Sequence, residues 1–565
     1  MLRLSRPPVS HALLAVCAIL AAAGAAWGPA LGGHFTTGWD DQWLLLGNRT
    51  VHGFSSHGVR DAFDPTIDRS GLGFEWLPVR DLSYMFDYEF WTLDPVGYRI
   101  TSLLVHATAS FAVYLLLARL LPGGGALLGA MVFVLHPLAS EPVAWVSGRK
   151  DALAVAFGGA SALALLAALD DERDRRGGAV RYLASVVLAV LALLSKSSAV
   201  GILSGFPLLV LLERPGRRRM ASALPHVALA AAGAAVHFLV FRTGDVAEGG
   251  GPSPGRAATA GPAILHALRS VLVPTGLAPH HRDPDPQAIL TVAVVGLVAA
   301  AGILSVRRLL RAEPGLRVAR ALAFGLPWVL VSMGPVLAPI PRRSAYLADR
   351  YGYPATIAVA LLLATAWSAS SRRPSVRWLL ALPVLLALGA ISHQRARLWR
   401  SEVQLWRDAV DEDPRAPVSR LNLAAAYFDL GFPEQAEAEY QACLDLEPDY
   451  VKALRGLAMI RTIQRKGDEA RALLERAVEI DPLFVDARAD LAGVLIDANE
   501  LEDARREIQA GLAIEPEDPA LWYYLGLLLD RERRPADARG ALDRALELAP
   551  GDPRIARARE ALEGR

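Results

Sequence analysis

Residues 12–31 read ALLAVCAILAAAGAAWGPAL, and residues 36–43 read TTGWDDQW. The first stretch is apolar and long enough to cross a bilayer, which takes about 20 residues of helix. The second stretch places two adjacent carboxylates, Asp40 and Asp41, directly after it. Acidic side chains at a membrane are costly unless they have a function or lie clear of the lipid. The pair is therefore a candidate catalytic group at the outer mouth of a membrane-embedded site, and a solvated loop start is the alternative.

The composition divides the 565-residue chain into two kinds of sequence. Hydrophobic residues make up 53% of the chain and charged residues 21%, and the apolar runs stop near Ile391. We therefore predict a membrane domain, 1–392, followed by a charged helical domain, 393–565. The net charge is only +1, so no global field indicates a nucleic-acid partner. Cys17 and Cys443 lack metal-ligand spacing and are not expected to form a disulfide.

The apolar runs predict about eleven membrane spans, each judged against the length of a bilayer-crossing helix. Their approximate bounds are 12–31, 99–120, 124–138, 152–169, 180–195, 198–212, 221–241, 287–305, 320–338, 353–369 and 376–391. Arginines are concentrated in alternate loops, at 3–6, 173–176, 214–219, 307–320 and 372–377. Because basic residues are enriched in cytoplasmic loops, this pattern predicts a cytoplasmic N-terminus. The large loop 32–98 and everything after 392 then lie on the outer side.

Two segments on the predicted outer side have apolar residues at helical spacing, 82–91 and 262–274. We predict two amphipathic helices that lie along the outer membrane interface.

Polar residues that are unusual for short loops gather on the same predicted side. They are Arg80, His136, Glu141, Arg149, Lys150, Lys196, Arg350, Tyr351 and Tyr353. Taken singly, each cluster also fits interfacial anchoring by bases and tyrosines. Their occurrence on one face of the membrane favours a shared substrate-binding site.

The second domain carries an internal repeat. Prolines at 414, 448, 482, 516 and 550 and alanines at 436, 470, 504 and 538 recur every 34 residues. A 34-residue period of two helices predicts a tetratricopeptide-repeat (TPR) α-solenoid with units 414–447, 448–481, 482–515 and 516–549. Residues 401–413 have the pattern of the second helix of an incomplete leading unit, and 551–564 that of a capping helix. Such a solenoid offers a concave surface to a protein partner, although packing on its own membrane domain or dimerisation would use the same surface.

The chain resembles the transmembrane-and-TPR O-mannosyltransferase family and its bacterial relatives, which are GT-C glycosyltransferases. The resemblance is carried by Gly38–Asp41, Trp76–Val79, Leu82–His106, Leu135–Leu153, Lys196, Pro274–Leu277, Ala348–Pro354 and Arg397–Glu402. Two positions depart from the family pattern. Leu77 stands where the family has an arginine before the proline, with Arg80 just beyond, and Ser197 stands where a glutamate usually follows the lysine. The implied fold is all-α, a polytopic membrane helix bundle followed by the TPR solenoid.

The resemblance implies transfer of a mannose-like sugar from a polyprenyl-phosphate carrier to a hydroxyl of a protein acceptor. A hydroxyl needs a base within hydrogen-bond reach as it attacks, and the resemblance assigns that role to Asp40, with Asp41 orienting the acceptor. The leaving phosphate needs cations or a metal, for which Arg350, Lys196, Arg149 and Lys150 are candidates. No cofactor is certain, but the two acids might share a divalent metal ion. One carboxylate base would invert the anomeric centre.

The implied location is a bacterial inner membrane, with the TPR domain in the periplasm. Two other interpretations remain open on the sequence. The chain could be a non-catalytic membrane scaffold that displays the repeats, or a related transferase that acts on a glycan or a lipid. Asp40→Asn distinguishes the scaffold, because a scaffold should tolerate that change.

Overall fold

The computed structural model describes residues 7–36, 39–67, 76–170, 175–213, 220–245, 260–282 and 346–563, with isolated stretches between 289 and 332. Contacts between α-carbons divide the chain into two compact units, Met1–Asp413 and Pro414–Arg565. Apart from two strands of two residues each, the regular secondary structure of the described part is helical. The predicted all-α class, with TPR repeats at the C-terminal end, is confirmed.

The first unit is built mainly of apolar helices. They are α1 (Val9–Trp27), α2 (Ser56–Phe63), α3 (Pro78–Trp91), α4 (Pro95–Leu120), α5 (Gly123–Val134), α6 (Ser140–Ala144), α7 (Arg149–Asp170), α8 (Arg175–Ser195), α9 (Ala199–Ser204), α10 (Phe206–Glu213), α11 (Leu224–Asp245), α12 (Ala260–Leu272), α13 (Thr356–Ala369), α14 (Pro374–Leu398) and α15 (Glu402–Glu412). Short helical turns connect several of them, among them Pro137–Ala139, Val146–Gly148 and Asp349–Gly352.

The predicted count of about eleven spans is not confirmed. In the described part of the chain, five helical segments are long and apolar enough to cross a membrane: Val9–Gly32, Pro95–Leu120, Val146–Asp170, Arg176–Ser195 and Pro374–Leu398. A sixth crossing is available if the bent pair of α5 with Pro137–Ala144 counts as one span. The predicted span 198–212 is broken at Gly205 into α9 and α10. The predicted spans 287–305 and 320–338 lie largely outside the described residues.

The bend after α5 places part of the candidate site. The chain turns by 53° between α5 and Pro137–Ala144. Pro137 opens the next turn, where its missing N–H costs nothing, and the His136 ring accepts a hydrogen bond from the Leu138 N–H at 3.3 Å. The segment 124–138, which the sequence predicts as one straight span, is therefore bent at its end. The residues after the bend include Glu141 and Trp145, whose side chains are buried.

A short antiparallel strand pair joins two distant loops of the first unit. β1 (His281–Arg282) pairs with β2 (Tyr346–Leu347), with His281 opposite Leu347. This pairing brings the segment after α12 beside the residues that begin the Asp349–Gly352 turn. Both predicted interfacial segments are helical, as α3 and α12.

The boundary between the units lies later than the sequence suggested. The sequence placed it between residues 392 and 393, and it counted 401–413 with the repeats, whereas the contacts place it at Asp413. The physical reason is Trp406 of α15, which is fully buried and lies with its ring centroid 5.1 Å from that of Trp39. Helix α15 thus contributes to the core of the first unit.

The second unit consists of four helix pairs and a final helix. The pairs are α16 (Pro417–Asp429) with α17 (Pro433–Leu446), α18 (Val451–Ile463) with α19 (Gly467–Ile480), α20 (Val485–Asp497) with α21 (Leu501–Ile514), and α22 (Pro519–Arg531) with α23 (Pro535–Leu548), followed by α24 (Pro553–Glu563). The periodic alanines at 436, 470, 504 and 538 are all fully buried, so the paired helices approach closely where the repeat predicts it. Each helix pair lies within one of the four predicted units, 414–447, 448–481, 482–515 and 516–549.

The turn inside each repeat has the same backbone geometry. The positive-φ residues are Gly431 (78°), Arg465 (60°), Asn499 (63°) and Arg533 (62°), which recur with the repeat period. In the first turn, Gly431 N–H donates to the Phe428 carbonyl and Phe432 N–H donates to the Tyr427 carbonyl. This is the Schellman termination, which requires a left-handed residue just after the helix. The first repeat supplies glycine there, and the others hold a residue with a side chain in the same conformation.

We expect Gly431→Ala to destabilise the repeat unit by about 1–2 kcal/mol, the cost of holding a Cβ-bearing residue in the left-handed region. An added Cβ at Gly431 meets no atom within 4 Å, so the loss would come from the backbone alone. Gly467→Ala is the matched control, because that Cβ also meets nothing within 4 Å and Gly467 lies in helix α19 with no positive φ. Urea unfolding of 414–565 measures both variants. Equal loss in the two variants would contradict the backbone explanation.

Candidate functional site

The two predicted catalytic acids occupy different environments. Asp41 is fully buried, and its carboxylate is held at both oxygens. One oxygen accepts the Thr36 N–H at 3.0 Å, and the other accepts the Ser147 N–H at 3.1 Å and the Ser147 hydroxyl at 2.5 Å. Asp41 therefore ties the loop after α1 to the turn after Trp145. Asp40, its neighbour, is only partly buried.

Arg350 is the centre of the polar part of the site. It lies in the Asp349–Gly352 turn, and its Nη1 donates to Glu141 Oε2 at 2.6 Å. The side chains are largely buried, with 11% of Arg350 and 5% of Glu141 exposed. Two residues that the sequence listed separately are thus one ion pair. Tyr351 also contacts this arginine, with its ring centroid 5.1 Å from Arg350 Cζ.

Tryptophans form a wall around this arginine. Trp39 and Trp145 stack at 3.9 Å with nearly parallel planes, and Arg350 Cζ lies 5.8 Å and 5.3 Å from their ring centroids. Trp399 stacks next to them, at 6.3 Å from Trp39, and Trp406 meets the edge of Trp39. Three parts of the chain that are distant in sequence thus supply one aromatic surface, which we call the tryptophan wall (Trp39, Trp145, Trp399 and Trp406).

Several buried donors of this region have no acceptor among the described residues. They are Arg350 Nε and the indole N–H groups of Trp145, Trp399 and Trp406. A buried donor without an acceptor costs about 1–3 kcal/mol, so native proteins rarely keep several together without a reason. Four such donors, all on the tryptophan wall or on the arginine packed against it, suit a ligand rich in oxygen acceptors, such as a phosphate or a sugar.

Neighbouring groups and burial shift the pKa values of Arg350 and His280. Burial opposes the charged form of Arg350, but the carboxylate of Glu141 outweighs it and raises the pKa of Arg350 above its ordinary value. Burial, with the positive charge of Arg350 beside it, lowers the pKa of His280 to about 3. His280 lies at 5.3 Å from Trp39, so a neutral imidazole borders the wall while the arginine stays cationic.

Lys196 and Lys150 lie in the same part of the unit. Lys196 Nζ is 3.3 Å from Asp151 Oδ2, and both side chains are buried. The charge of Asp151 in turn acts on Glu141 and on Arg350. Lys150 is buried as well, with its Nζ 5.9 Å from the Trp145 ring centroid. These two lysines are brought close to the Arg350–Glu141 pair.

Arg149 belongs to a second cluster. Its side chain is fully buried and ion-paired with Asp87 at 2.5 Å. Its other donors meet Ser102 Oγ, Ser83 and the Tyr98 carbonyl. Because all its N–H groups are engaged inside the protein, this geometry favours a structural role for Arg149 over the phosphate contact expected from the sequence.

Three further predicted residues also face the interior. Arg80 is buried and donates through Nε to the Asp81 carboxylate at 2.9 Å. His136 contacts the Val271 carbonyl through Nε2 at 3.1 Å and so joins the bend after α5 to α12. Tyr353 is fully buried, and its hydroxyl lies 2.8 Å from His106 Nδ1. These contacts hold elements of the bundle together beside the site.

Sequence reasoning missed a cluster around Asp349. His266 Nε2 lies 3.0 Å from Asp349 Oδ1, and His281 Nε2 lies 2.7 Å from Asp349 Oδ2. Burial favours the neutral acid, but the hydrogen bonds from both histidines outweigh it and hold the pKa of Asp349 far below its usual range. Burial likewise disfavours charge on His281, but Asp349 raises the pKa of that histidine. The adjacent histidines at 280–281, in a predicted outer loop, were the signal that could have indicated it.

Parts of the chain match known protein families. Residues 94–241 match the family described as dolichyl-phosphate-mannose-protein mannosyltransferase, and 421–483, 462–528 and 519–561 match tetratricopeptide-repeat families. Protein O-mannosyl-transferase Tmtc1 of Drosophila melanogaster is 31% identical over 171 residues. These matches agree with the resemblance to the transmembrane-and-TPR O-mannosyltransferases, which are GT-C glycosyltransferases.

The Tmtc1 match covers 29% of this chain and 19% of that relative, so the curated relative extends far beyond the matched part. Among solved structures, a TPR protein from Thermus thermophilus is 20% identical, covering 33% of this chain and 97% of its own, with a TM-score of 0.27. MamA is 20% identical and covers 26% of this chain and 85% of its own, with a TM-score of 0.24. Apolar helices long enough to cross a membrane and tetratricopeptide repeats occur in this one chain, and the protein is an integral membrane protein.

Proposed function

We propose that the protein is a membrane glycosyltransferase that moves a mannose-like sugar from a polyprenyl-phosphate carrier to a hydroxyl of a protein acceptor. The reaction takes place on the outer side of the membrane, and the TPR unit recruits or orients the acceptor. The mannosyltransferase match at 94–241 and the Tmtc1 relative support the reaction class. The repeats support a protein partner.

The observation that carries this proposal is Arg350 on the tryptophan wall. Its cationic side chain is fixed by Glu141 and by two indole faces, while its Nε and three indole N–H groups lack acceptors among the described residues. A phosphate would accept from the arginine, and a sugar could stack on the indoles and accept their N–H groups. Charge-assisted bonds of this kind strengthen as the leaving phosphate gains charge.

The different environments of Asp40 and Asp41 indicate which of them acts as the general base. Both carboxylate oxygens of Asp41 already accept hydrogen bonds, from Thr36 and from Ser147. Asp41 is therefore suited to position the loop. Asp40 is more exposed and follows Trp39 directly, so it is the residue that takes the proton from the acceptor hydroxyl. A single base acting in a direct displacement inverts the anomeric carbon.

We expect Arg350→Lys to insert normally and to lower affinity for the polyprenyl-phosphate sugar by about ten-fold or more, because a bond to a charged group worth about 1.5–3 kcal/mol is lost. A lysine keeps the charge but not the planar set of donors that can bind phosphate while contacting Glu141. Donor affinity of the purified protein in detergent measures the effect.

Arg119→Lys is the matched control for that measurement. Arg119 also pairs with carboxylates, those of Asp170 and Glu213, but at the other end of α4 from the site. The Arg119→Lys variant should bind the polyprenyl-phosphate sugar with wild-type affinity. Wild-type affinity in Arg350→Lys would mean that Arg350 only anchors the turn and that the phosphate is held elsewhere, with Lys196 the next candidate.

The side of the membrane is tested by a reporter fused after residue 565. The arginine-rich loops support a TPR unit outside the cytoplasm. A reporter that is active only outside the cytoplasm should therefore be active in this fusion, and a reporter that works only in the cytoplasm should be silent. The reverse result would exclude an outer-side reaction and the periplasmic TPR unit.

A further inference from the structure

Three side chains with metal-ligating atoms meet beside the candidate site. They are His266 of α12, His281 of β1 and Asp349 of the turn after β2, and one ligand atom of each lies within 4.8 Å of the others. The nearest pairs are 3.0 Å and 2.7 Å apart, and the two imidazole rings are 4.5 Å apart. The two short distances end on different oxygens of Asp349. Ligand atoms at about 2.0–2.2 Å from one tetrahedral ion lie about 3.3–3.6 Å from each other, so small adjustments of these side chains would let one ion bind all three.

The carboxylate at the centre is oriented by contacts other than the histidines. Ser270, one turn after His266 on α12, donates its hydroxyl to Asp349 Oδ1 at 3.0 Å. The Ala278 N–H donates to Asp349 Oδ2 at 2.8 Å. Each oxygen of the Asp349 carboxylate thus accepts one hydrogen bond from Ser270 or Ala278 and is in contact with one histidine. Supporting hydrogen bonds of this kind orient ligands in metal sites.

The tertiary structure builds this group from three separate segments. The β1–β2 pairing sets His281 opposite Leu347, two residues before Asp349. Helix α12 contributes His266 and Ser270 from adjacent turns of one face. Of these side chains, Asp349 is 5% exposed, His281 12% and His266 23%, so the carboxylate is buried and the two histidines are partly covered. A surface ion pair formed by chance would not need three elements to position it.

The donor set indicates the class of ion. Two imidazole nitrogens and one carboxylate suit Zn²⁺ and similar first-row ions, whereas Mg²⁺ and Ca²⁺ prefer oxygen ligands throughout. Three protein ligands leave a coordination position for water or for an oxygen of a substrate.

We propose that His266, His281 and Asp349 bind a divalent transition-metal ion of the zinc class. Asp349 directly precedes Arg350, and His281 directly follows His280, which borders Trp39. An ion at this position would fix the turn that carries Arg350 and the loop that packs on the tryptophan wall. The adjacent acids Asp40 and Asp41, which the sequence suggested as ligands, are not part of the proposed site. Among the described residues, the group that brings three ligand atoms within 4.8 Å of one another is His266, His281 and Asp349.

The test counts metal ions directly and does not depend on sugar transfer. Full-length protein in detergent is stripped with a chelator, dialysed and equilibrated with Zn²⁺, and bound metal is counted by mass spectrometry. Wild-type protein should bind about one ion per chain, and this binding should require all three ligands. Replacement with Co²⁺ should give visible d–d bands, and Zn²⁺ should raise the thermal stability of wild type.

The variants His281→Gln and His266→Gln separate a metal site from a metal-free hydrogen-bond cluster. Glutamine still donates to Asp349 but is a poor ligand, so the cluster would survive while metal binding fails. Each variant should lose Zn²⁺ affinity by more than about 10–100-fold, the loss that a supporting residue alone would cause. The Zn²⁺-dependent rise in thermal stability should disappear with it.

His57→Ala is the matched control. It removes a histidine that also contacts a carboxylate, Asp61 at 2.6 Å, but is 85% exposed. Its metal content and Co²⁺ bands should equal those of wild type. The proposal is overturned if stripped wild type takes up none of the tested ions, or if the glutamine variants bind as much Zn²⁺ as His57→Ala does. Since metal content is the readout, either result leaves the glycosyltransferase proposal standing.

Discussion

Asp40→Asn is expected to lower turnover by about 10²–10⁴-fold, the range usual for the loss of a general base. Asparagine keeps the shape of aspartate but cannot take the proton of the acceptor hydroxyl. Because Asp40 is partly exposed, the exchange should leave thermal stability and carrier affinity close to wild type. The measurement is transfer of a labelled sugar from a polyprenyl-phosphate donor by purified protein, with kcat and KM determined separately.

Asp41→Asn is the informative comparison. Its carboxylate accepts from the Thr36 N–H at one oxygen and from Ser147 at the other. An amide group must turn an N–H toward one of these donors, which leaves a buried clash of donors worth about 1–3 kcal/mol. This variant should therefore lose thermal stability together with activity. A stable but inactive Asp41→Asn alongside an active Asp40→Asn would reverse the two roles, and full activity in both would favour the scaffold interpretation.

Arg149→Met is expected to destabilise the first unit by about 3–5 kcal/mol, because it leaves the Asp87 carboxylate buried without its cation. The pair lies at 2.5 Å with both side chains fully buried. Burial already raises the pKa of Asp87 despite the arginine beside it, so an unpaired Asp87 would be still harder to ionise. Thermal unfolding in detergent, followed by size-exclusion chromatography, measures the loss.

The double variant Arg149→Met with Asp87→Leu tests whether the effect comes from the unpaired charge. Replacement of both partners by apolar residues should recover part of the stability, because no buried charge remains. Recovery will be incomplete, since the hydrogen bonds from Arg149 to Ser102 and to the Tyr98 carbonyl are also lost. If Arg149→Met folds with wild-type stability but loses donor affinity, the arginine binds substrate after all.

Much of the candidate site could be named from the sequence, but its pairings could not. Arg350 and Glu141 were both candidates, yet 209 positions separate them and only the folded chain makes them one ion pair. Arg149 had the same residue type and the same predicted side as Arg350. Its role differs because α3 supplies Asp87 to it, which no local pattern reveals. The tryptophan wall was missed for the same reason, since its four members come from segments between residues 39 and 406.

The sequence by itself determined what is periodic or local. A 34-residue repeat specifies helix lengths, the buried alanines and the left-handed turn residue, because each TPR unit contacts mainly its neighbours. Apolar runs likewise indicated several of the long helices, among them α1, α4, α7 and α8. Only the tertiary structure decided where α5 bends, that α15 packs with the first unit, and that His266, His281 and Asp349 meet. These features depend on contacts between residues far apart along the chain, whose free energy is set by packing and charge pairing in three dimensions.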